Sequence, residues 1–367
     1  MGQARRAAGS VVHLKPLRHD AGVNGTPRLV VDLAVMQANI DRAAALAAER
    51  GFALRPHVKT HKTPEIARLQ LAAGAVGITV ATIGEAEVFA GVGCQDILIA
   101  YPLWIDDAAV TRLRAVAQLA GLAIGCDSVD SVAALPAGLA ELMIEIDSGH
   151  HRSGVPPERA GALAMLLAER GHPVRGAFTF PGHSYAPGAG ASGAVEEAAA
   201  LVSAAASMAA HGVPARVLSG GSTPSLRHAD PRLDEYRPGV YVFNDAQQWE
   251  LDSCAPEQIA LTCHARVVSA HHDRVVLDSG SKVLGADRAS YATGYGRLLD
   301  HPDARIVGLS EHHAVVTAPV LPSLGNAVRV VPNHVCNAVN LADELCVVDG
   351  AARLVDVWPV AARGRNR

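Results

Sequence analysis

The sequence predicts an α/β chain: a closed (β/α)8 barrel followed by an all-β domain. Three observations carry this. From Leu29 to Pro256 short apolar runs alternate with Ala/Leu-rich helical stretches, and eight such alternations are the pattern of a parallel barrel. After Pro256 the alternation stops, and strand-like runs follow one another with little helix between them. The length of 367 residues suits two domains at about 150 residues each, and a 49% hydrophobic, 19% charged composition excludes disorder.

In chain order, Val30 to Leu33 reads as a short strand, and Met36 to Arg50, apolar at three- and four-residue spacing, reads as a helix. Eight strand-like runs follow: Phe52–His57, Gly77–Val80, Ile97–Ala100, Leu122–Cys126, Leu142–Ile146, Val174–Phe178, Arg216–Leu218 and Val240–Phe243. Between most of them lie helical stretches, at Thr63–Ala73, Ile83–Val92, Ala108–Leu119, Pro157–Glu169 and Val195–His211. An open doubly wound sheet is the alternative. The Gly/Ala stretch Pro187–Gly193 reads as a mobile loop, and Ala198–Ala210 as a buried helix too short to span a bilayer. Beyond Pro256, Ile259–Ser269, Arg274–Asp278, His313–Thr317, Ala327–Val331 and Glu344–Val348 read as strands, and the tail Arg363–Arg367 as frayed.

Composition also excludes function classes. A formal charge of -4 leaves no basic stripe for nucleic acid or anionic lipid, and 4% aromatics disfavour a base-stacking surface. Six scattered Cys with no CxxC pair exclude a disulfide scaffold and a zinc ribbon. Met1 to Gly25 carries Arg5, Arg6 and Lys15 but no apolar core, so no secretory signal is expected. The expectation is a cytoplasmic protein with reduced thiols, no membrane contact and no nucleic-acid partner.

Four barrel loops and one β-domain segment could carry chemistry. Arg55-Pro56-His57-Val58-Lys59-Thr60-His61-Lys62 ends the first barrel strand, where such barrels place catalytic groups. A Lys among cations there could be held as the neutral amine that Schiff-base formation needs, or the run could be a solvated basic loop. Ser219-Gly220-Gly221-Ser222-Thr223 follows the seventh strand, the usual phosphate position, and Tyr241 to Asp245, with Asn244, could complete that site. After the fifth strand, Asp147 to Gly154 offers Arg152, which could reach a ring nitrogen or lie on the surface. After the sixth, Pro181 to Tyr185 offers His183, an acid–base candidate or a structural His. In Val331-Pro332-Asn333-His334-Val335-Cys336-Asn337 an extended strand would point His334 and Cys336 to one side, where they could hold a divalent ion. A buried free Cys beside a structural His is the plain alternative.

Together these pieces resemble the fold-type III pyridoxal-phosphate enzymes, and more closely the D-serine dehydratase / D-threonine aldolase family. The resemblance runs from about Thr26 to Trp358, and its specific motifs are Arg55 to Lys62 and Pro332 to Cys336. It implies a 34–256 barrel that binds pyridoxal 5'-phosphate, and a β domain made of 1–33 plus 257–367 that carries the metal pair. It implies that Lys59 forms the Schiff base and that Arg152 faces the pyridine nitrogen. Gly220, Gly221, Ser222 and Thr223 would hold the phosphate, with His57, Tyr185, Tyr241 and Asn244 completing the cofactor site. His334 and Cys336 would ligate zinc or manganese, and a homodimer is expected. The implied reaction is metal-assisted β-elimination from a β-hydroxy D-amino acid, with Lys59 as the α-proton base. The competing reaction is a retro-aldol cleavage with His183 as base. His-x-Cys at the metal, and Gly182-His183-Ser184-Tyr185, resemble the dehydratases, whereas the aldolases usually carry Asp at the Cys336 position. A racemase on the same fold, which would not need the metal pair, and a non-catalytic pyridoxal-phosphate carrier are the remaining readings.

Overall fold

The structure, a computed structural model, describes residues 25–367. The expectations for Met1 to Asn24 lie outside the described residues. The chain opens with strand β1 (Arg28–Asp32) and helix α1 (Leu33–Arg50). Asp32 makes the switch sharp, because its carboxylate accepts from Ala34 N and Val35 N at 3.0 and 3.1 Å, a helix N-cap.

The barrel strands are β2 (Ala53–Leu54), β3 (Ile78–Val80), β4 (Asp96–Ile99), β5 (Gly121–Cys126), β6 (Glu141–Glu145), β7 (Val174–Phe178), β8 (Val217–Gly220) and β9 (Glu235–Tyr236). Between them run α2 (Pro64–Ala72), α3 (Ile83–Gly91), α4 (Asp107–Ala117), α5 (Ala160–Glu169), α6 (Gly190–Ala210) and the short α7 (Thr223–Leu226). The strands are parallel in the order β2-β9-β8-β7-β6-β5-β4-β3. A bridge from His57 to Thr79, with Val76 N donating to Leu54 O at 2.9 Å, joins the two ends into a ring. Leu98, Ala123, Met143 and Phe178 pack together as a separate buried cluster on β4 to β7. Arg55 is buried with Glu235 and Asp96, each at 2.9 Å.

After α8 (Ala246–Glu250) the chain builds β10 (Leu261–Ala270), β11 (Val275–Leu277), α9 (Ser281–Leu284), β12 (Gly296–Leu298), β13 (His301–Leu309), β14 (Ala314–Thr317), β15 (Ala327–Pro332), α10 (Val335–Leu341), β16 (Glu344–Val348) and β17 (Leu354–Pro359). These form a largely antiparallel sheet, and β11 also pairs with β10. β1 lies in this sheet rather than in the barrel, antiparallel to β10 and parallel to β16.

Four sequence expectations are corrected. The eighth barrel strand is Glu235–Tyr236, not Val240–Phe243, whose Val240–Val242 forms a single 3-10 turn. A short buried apolar run has no periodicity to separate strand from helix. The stretch Pro187–Gly193 is not all loop: α6 begins at Gly190, and Gly193 is buried against Ser184. Strands β12, β13 and β17 were not anticipated: β12 is only three residues long, and exposed Pro and Asp positions mask the alternation in β13 and β17. The tail is docked, not frayed. Gly84 N and Arg112 Nη2 donate to Arg367 O at 3.1 Å, and Thr82 Oγ1 donates to Arg365 O at 2.6 Å.

That tail helps to bury an ion pair. Lys62 Nζ lies 3.2 Å from Glu85 Oε1 and donates to Asn366 Oδ1 at 3.0 Å, with both charged side chains almost fully buried. Removing one partner strands the other charge, which costs about 3 kcal/mol or more. Glu85→Ala is therefore expected to lower the unfolding free energy by about 3 kcal/mol in urea titrations. A loss below about 1 kcal/mol would show that the pair is not desolvated.

Candidate active site

The first wall comes from the loop after β2. Pro56 lacks an N–H and cannot extend the ladder, and a 3-10 turn over Val58–Thr60 follows. Val58 is fully buried in this turn, while Lys59 faces a cavity of about 370 Å3. His57 and Lys59 are the two titratable residues of the basic run that line it, next to Thr60. His61 is turned away and buried, with Nδ1 accepting from Thr63 N at 3.1 Å and Nε2 3.2 Å from Gln70 Oε1. Burial pushes it down to about 4, so it stays neutral. Lys62 serves the Glu85 pair. The Lys59 amine is held below its ordinary range by desolvation, and Arg152 and Arg237 add to this. His57 is held well below its ordinary value by burial, then by Lys59 and Arg237, and its Nδ1 has no partner.

The second wall is the glycine loop after β8. Gly221 has φ +97, and a Cβ there would come within 2.6 Å of Tyr236. Only glycine fits. Gly221 and Ser222 line the cavity. Ser222 caps α7, its Oγ accepting from Ser225 N at 3.1 Å. Gly220 and Thr223 do not reach the wall: Gly220 is packed against Glu197, and Thr223 Oγ1 accepts from Tyr241 N at 3.1 Å. Tyr241 and Asn244 are also set back, because the 3-10 turn rotates them outward. The Tyr241 hydroxyl accepts from Gln70 Nε2 at 3.0 Å, and Asn244 Nδ2 donates to Gln258 O at 2.9 Å.

Opposite stand Arg152 and Tyr185, both at the cavity. Phe180 lies between two cations, its ring 5.2 Å from the Arg152 guanidinium and 5.8 Å from Lys59 Nζ. Burial raises the Tyr185 hydroxyl above its ordinary value, so it stays protonated. His183 is not brought to the wall. Its ring packs on Gly149, and its Nε2 lies 2.8 Å from Glu196 Oε2, off the line of a hydrogen bond. His150 lines the cavity instead, held below its ordinary value by burial and then Arg152.

The fourth wall comes from the β domain. His334 and Cys336 are adjacent and both line the cavity, but not as alternate residues of a strand. His334 caps α10 and Cys336 lies in its first turn. The two side chains are neighbours at the wall, and Cys336 Sγ lies 3.3 Å from Thr60 Oγ1. His334 Nδ1 lies 2.5 Å from Asp287 Oδ2. Burial opposes both charges, yet each stabilises the other, so the thiol is lowered and the imidazole raised from their ordinary values. Among the described residues there is no cluster of three His, Cys, Asp or Glu arranged for a metal.

Several residues escaped sequence reasoning. Arg237 is buried at the cavity, donates to Ser219 Oγ and Thr179 O, and is pushed down to about 10 by burial. It follows β9 directly, so placing the eighth strand at Glu235–Tyr236 would have exposed it as a strand-end residue. Asp245, named only as the end of the Tyr241–Asp245 run, ties the barrel to the segment carrying His334 and Cys336, accepting from Gln248 N at 2.9 Å and Val335 N at 3.1 Å. Phe180 had no local signal.

A family described as alanine racemase, N-terminal domain, matches residues 31–247, and one described as putative serine dehydratase domain matches residues 260–348. The chain is similar to the D-threo-3-hydroxyaspartate dehydratase of Delftia sp. (strain HT23), with 37% identity over 353 residues, 85% of this chain and 90% of that protein. It is similar to the D-threonine aldolase of Arthrobacter sp, with 32% identity over 373 residues, 93% of each. A solved D-threo-3-hydroxyaspartate dehydratase, a cysteine-to-alanine variant in the metal-free form, matches with a TM-score of 0.83 at 31% identity, covering 91% of this chain and 97% of that chain.

Proposed function

We propose, from a chain that belongs to the fold-type III pyridoxal-phosphate family joining an alanine racemase N-terminal domain to a serine dehydratase domain, that it removes water from β-hydroxy D-amino acids. The products are a 2-oxo acid and ammonia. The observation that carries this is one cavity lined by Lys59 from the barrel and by His334 and Cys336 from the β domain, with Thr60 linking the two sets.

The residues fit both groups the reading requires. For pyridoxal phosphate there is a desolvated lysine, an unpartnered buried nitrogen on His57, two arginines and a glycine turn closed to any Cβ. For a metal there are an imidazole and a thiol of lowered pKa, with Asp287 behind the imidazole as an orienting carboxylate. Imidazole with thiolate favours zinc, and two protein ligands leave open positions for a substrate oxygen. Bound pyridoxal phosphate supplies an electron sink at the substrate's Cα, and the metal a Lewis acid at its β-hydroxyl.

The chain's own residues do the rest. Lys59 Nζ would hold the cofactor, and its amine is the base placed to take the proton from the substrate's Cα. Gly221 and Ser222 hold the phosphate, and Arg152 and Arg237 neutralise charge around the ring. The phenyl ring of Phe180 keeps Arg152 and Lys59 apart. The active unit is proposed as a homodimer in which each barrel cavity is closed by the β domain of its own chain. Exposed Tyr101 and Trp104, in the segment after β4, supply apolar surface for the contact between the two copies. Among the described residues no helix is long and apolar enough to cross a membrane.

Elimination is favoured over retro-aldol cleavage because the base expected for the latter, His183, faces Glu196 rather than the cavity. One observation favours the aldolase reading: His150 lines the cavity in a form biased toward neutral. A product assay decides. With pyridoxal phosphate and D-threonine the protein is expected to release 2-oxobutanoate and ammonia, and a chelator is expected to stop it. Glycine and acetaldehyde without 2-oxobutanoate would make it an aldolase.

A further inference from the structure

One buried acid beside the site has no part in the reaction above. Glu197, on α6, is fully buried and does not line the cavity. Its Oε2 accepts from Gly221 N at 2.6 Å, while its Oε1 is buried with no partner. A Cβ on Gly220 would come within 2.8 Å of that Oε2, so glycine is needed there for the acid to approach the backbone. The loop whose front forms the cavity wall is therefore held from behind by one carboxyl group.

We propose that Glu197 is a positioning residue for the cofactor's phosphate, fixing the glycine loop from behind and making phosphate binding take up a proton. The proposal rests on the reading that this loop holds a phosphate. A carboxylate and a phosphate dianion on two sides of one peptide repel each other through protein of low dielectric. A neutral Glu197 still accepts from Gly221 N–H and removes that repulsion. Its Oε1, the oxygen without a partner, is where the proton resides.

The surroundings agree. Burial pushes this carboxyl up to about 7, so the neutral form is accessible near neutral pH. The charged groups bearing on it are few. Arg237, after β9, favours the anion, and Asp230, after α7, opposes it. Gly221 N donates to it and the Ser225 hydroxyl nearby favours its anion, while the Tyr236 hydroxyl of β9 stays protonated, raised by burial and then by Glu197. On the turn at 182–185, His183 lies against Glu196 rather than Glu197. The sign follows: phosphate raises the carboxyl further, so binding is tightest at low pH and weakens as pH rises above about 7.

The test compares wild type with Glu197→Gln, which keeps the acceptor and loses the charge. The Kd for pyridoxal phosphate is read from the absorption band of the lysine-bound cofactor at pH 7, 8 and 9. Lysine chemistry is common to both proteins and cancels in their ratio. The wild-type Kd divided by the E197Q Kd is expected to rise by up to about tenfold per pH unit, the slope for one proton. A ratio constant within about twofold overturns the proposal.

A second measurement needs no variant. Calorimetry in buffers of different ionisation enthalpy counts protons taken up by the wild-type chain at pH 8, where the phosphate is a dianion. More uptake is expected with pyridoxal phosphate than with pyridoxal, and equal counts overturn the proposal. Absence of any lysine-bound band in wild type at every pH would instead overturn the reading of the site.

Discussion

Lys59→Ala is expected to lower turnover by about 10^4-fold, the upper range for loss of a positioned acid–base group, and to remove the lysine-bound absorption band. The argument is geometric. Among the five basic residues of the loop after β2, Lys59 alone places an amine at the cavity, since Lys62 is committed to Glu85 and Asn366. Desolvation lowers its pKa, so more of it is neutral at a given pH than for an exposed lysine. Cofactor capture should speed up as pH rises toward that lowered value and then level off. Arg152→Ala removes a cation that helps lower it, so the same limb is expected to move to higher pH. Lys59 makes no structural ion pair among the described residues, so the stability of the cofactor-free protein should change little. Activity within about tenfold of wild type would remove Lys59 from the mechanism.

Cys336→Ala is expected to release the metal and lower activity by about 10^3-fold, the equivalent of several kcal/mol of Lewis-acid stabilisation. His334→Ala should do the same. Because the two side chains are proposed to share one ion, the double variant is expected to be no worse than either single one. The absorption band should survive in all three, since Lys59 is untouched. Metal content decides the matter: one ion per chain retained in Cys336→Ala would show that the pair is not the ligand set. Asp287→Asn should be milder, about 10- to 100-fold in metal affinity, because the carboxylate bonds the imidazole of His334 and would act by orienting it.

Much of the site was legible in the sequence for a physical reason. Arg55 to Lys62, the glycine loop and Asn333 to Cys336 are local runs in which composition and position at an element's end already restrict the chemistry. The barrel was legible because helices and strands differ in hydrophobic period, whereas β1 was assigned to the β domain only by the family resemblance, since a strand followed by a helix looks like any barrel unit. The eighth strand was misplaced because two ladder residues, Glu235 and Tyr236, leave no periodic trace, whereas the apolar turn after them imitates one.

What the sequence alone determined is which residues can carry chemistry: an amine, an imidazole–thiol pair, and glycines that admit backbone to a close approach. What the tertiary structure decided is which of them share a cavity and in what charge state. Lys59 faces the void while His61 does not, because a single 3-10 turn points successive side chains about a third of a circle apart, and Lys62, three residues on, leaves the turn at φ +53 toward Glu85. Arg237 and Phe180 enter the wall, and His183, Thr223, Tyr241 and Asn244 stay behind it, through packing between segments distant in sequence. Desolvation, which lowers Lys59 and raises Glu197, is likewise a property of the assembled barrel, since burial depends on what surrounds a group rather than on its chain neighbours.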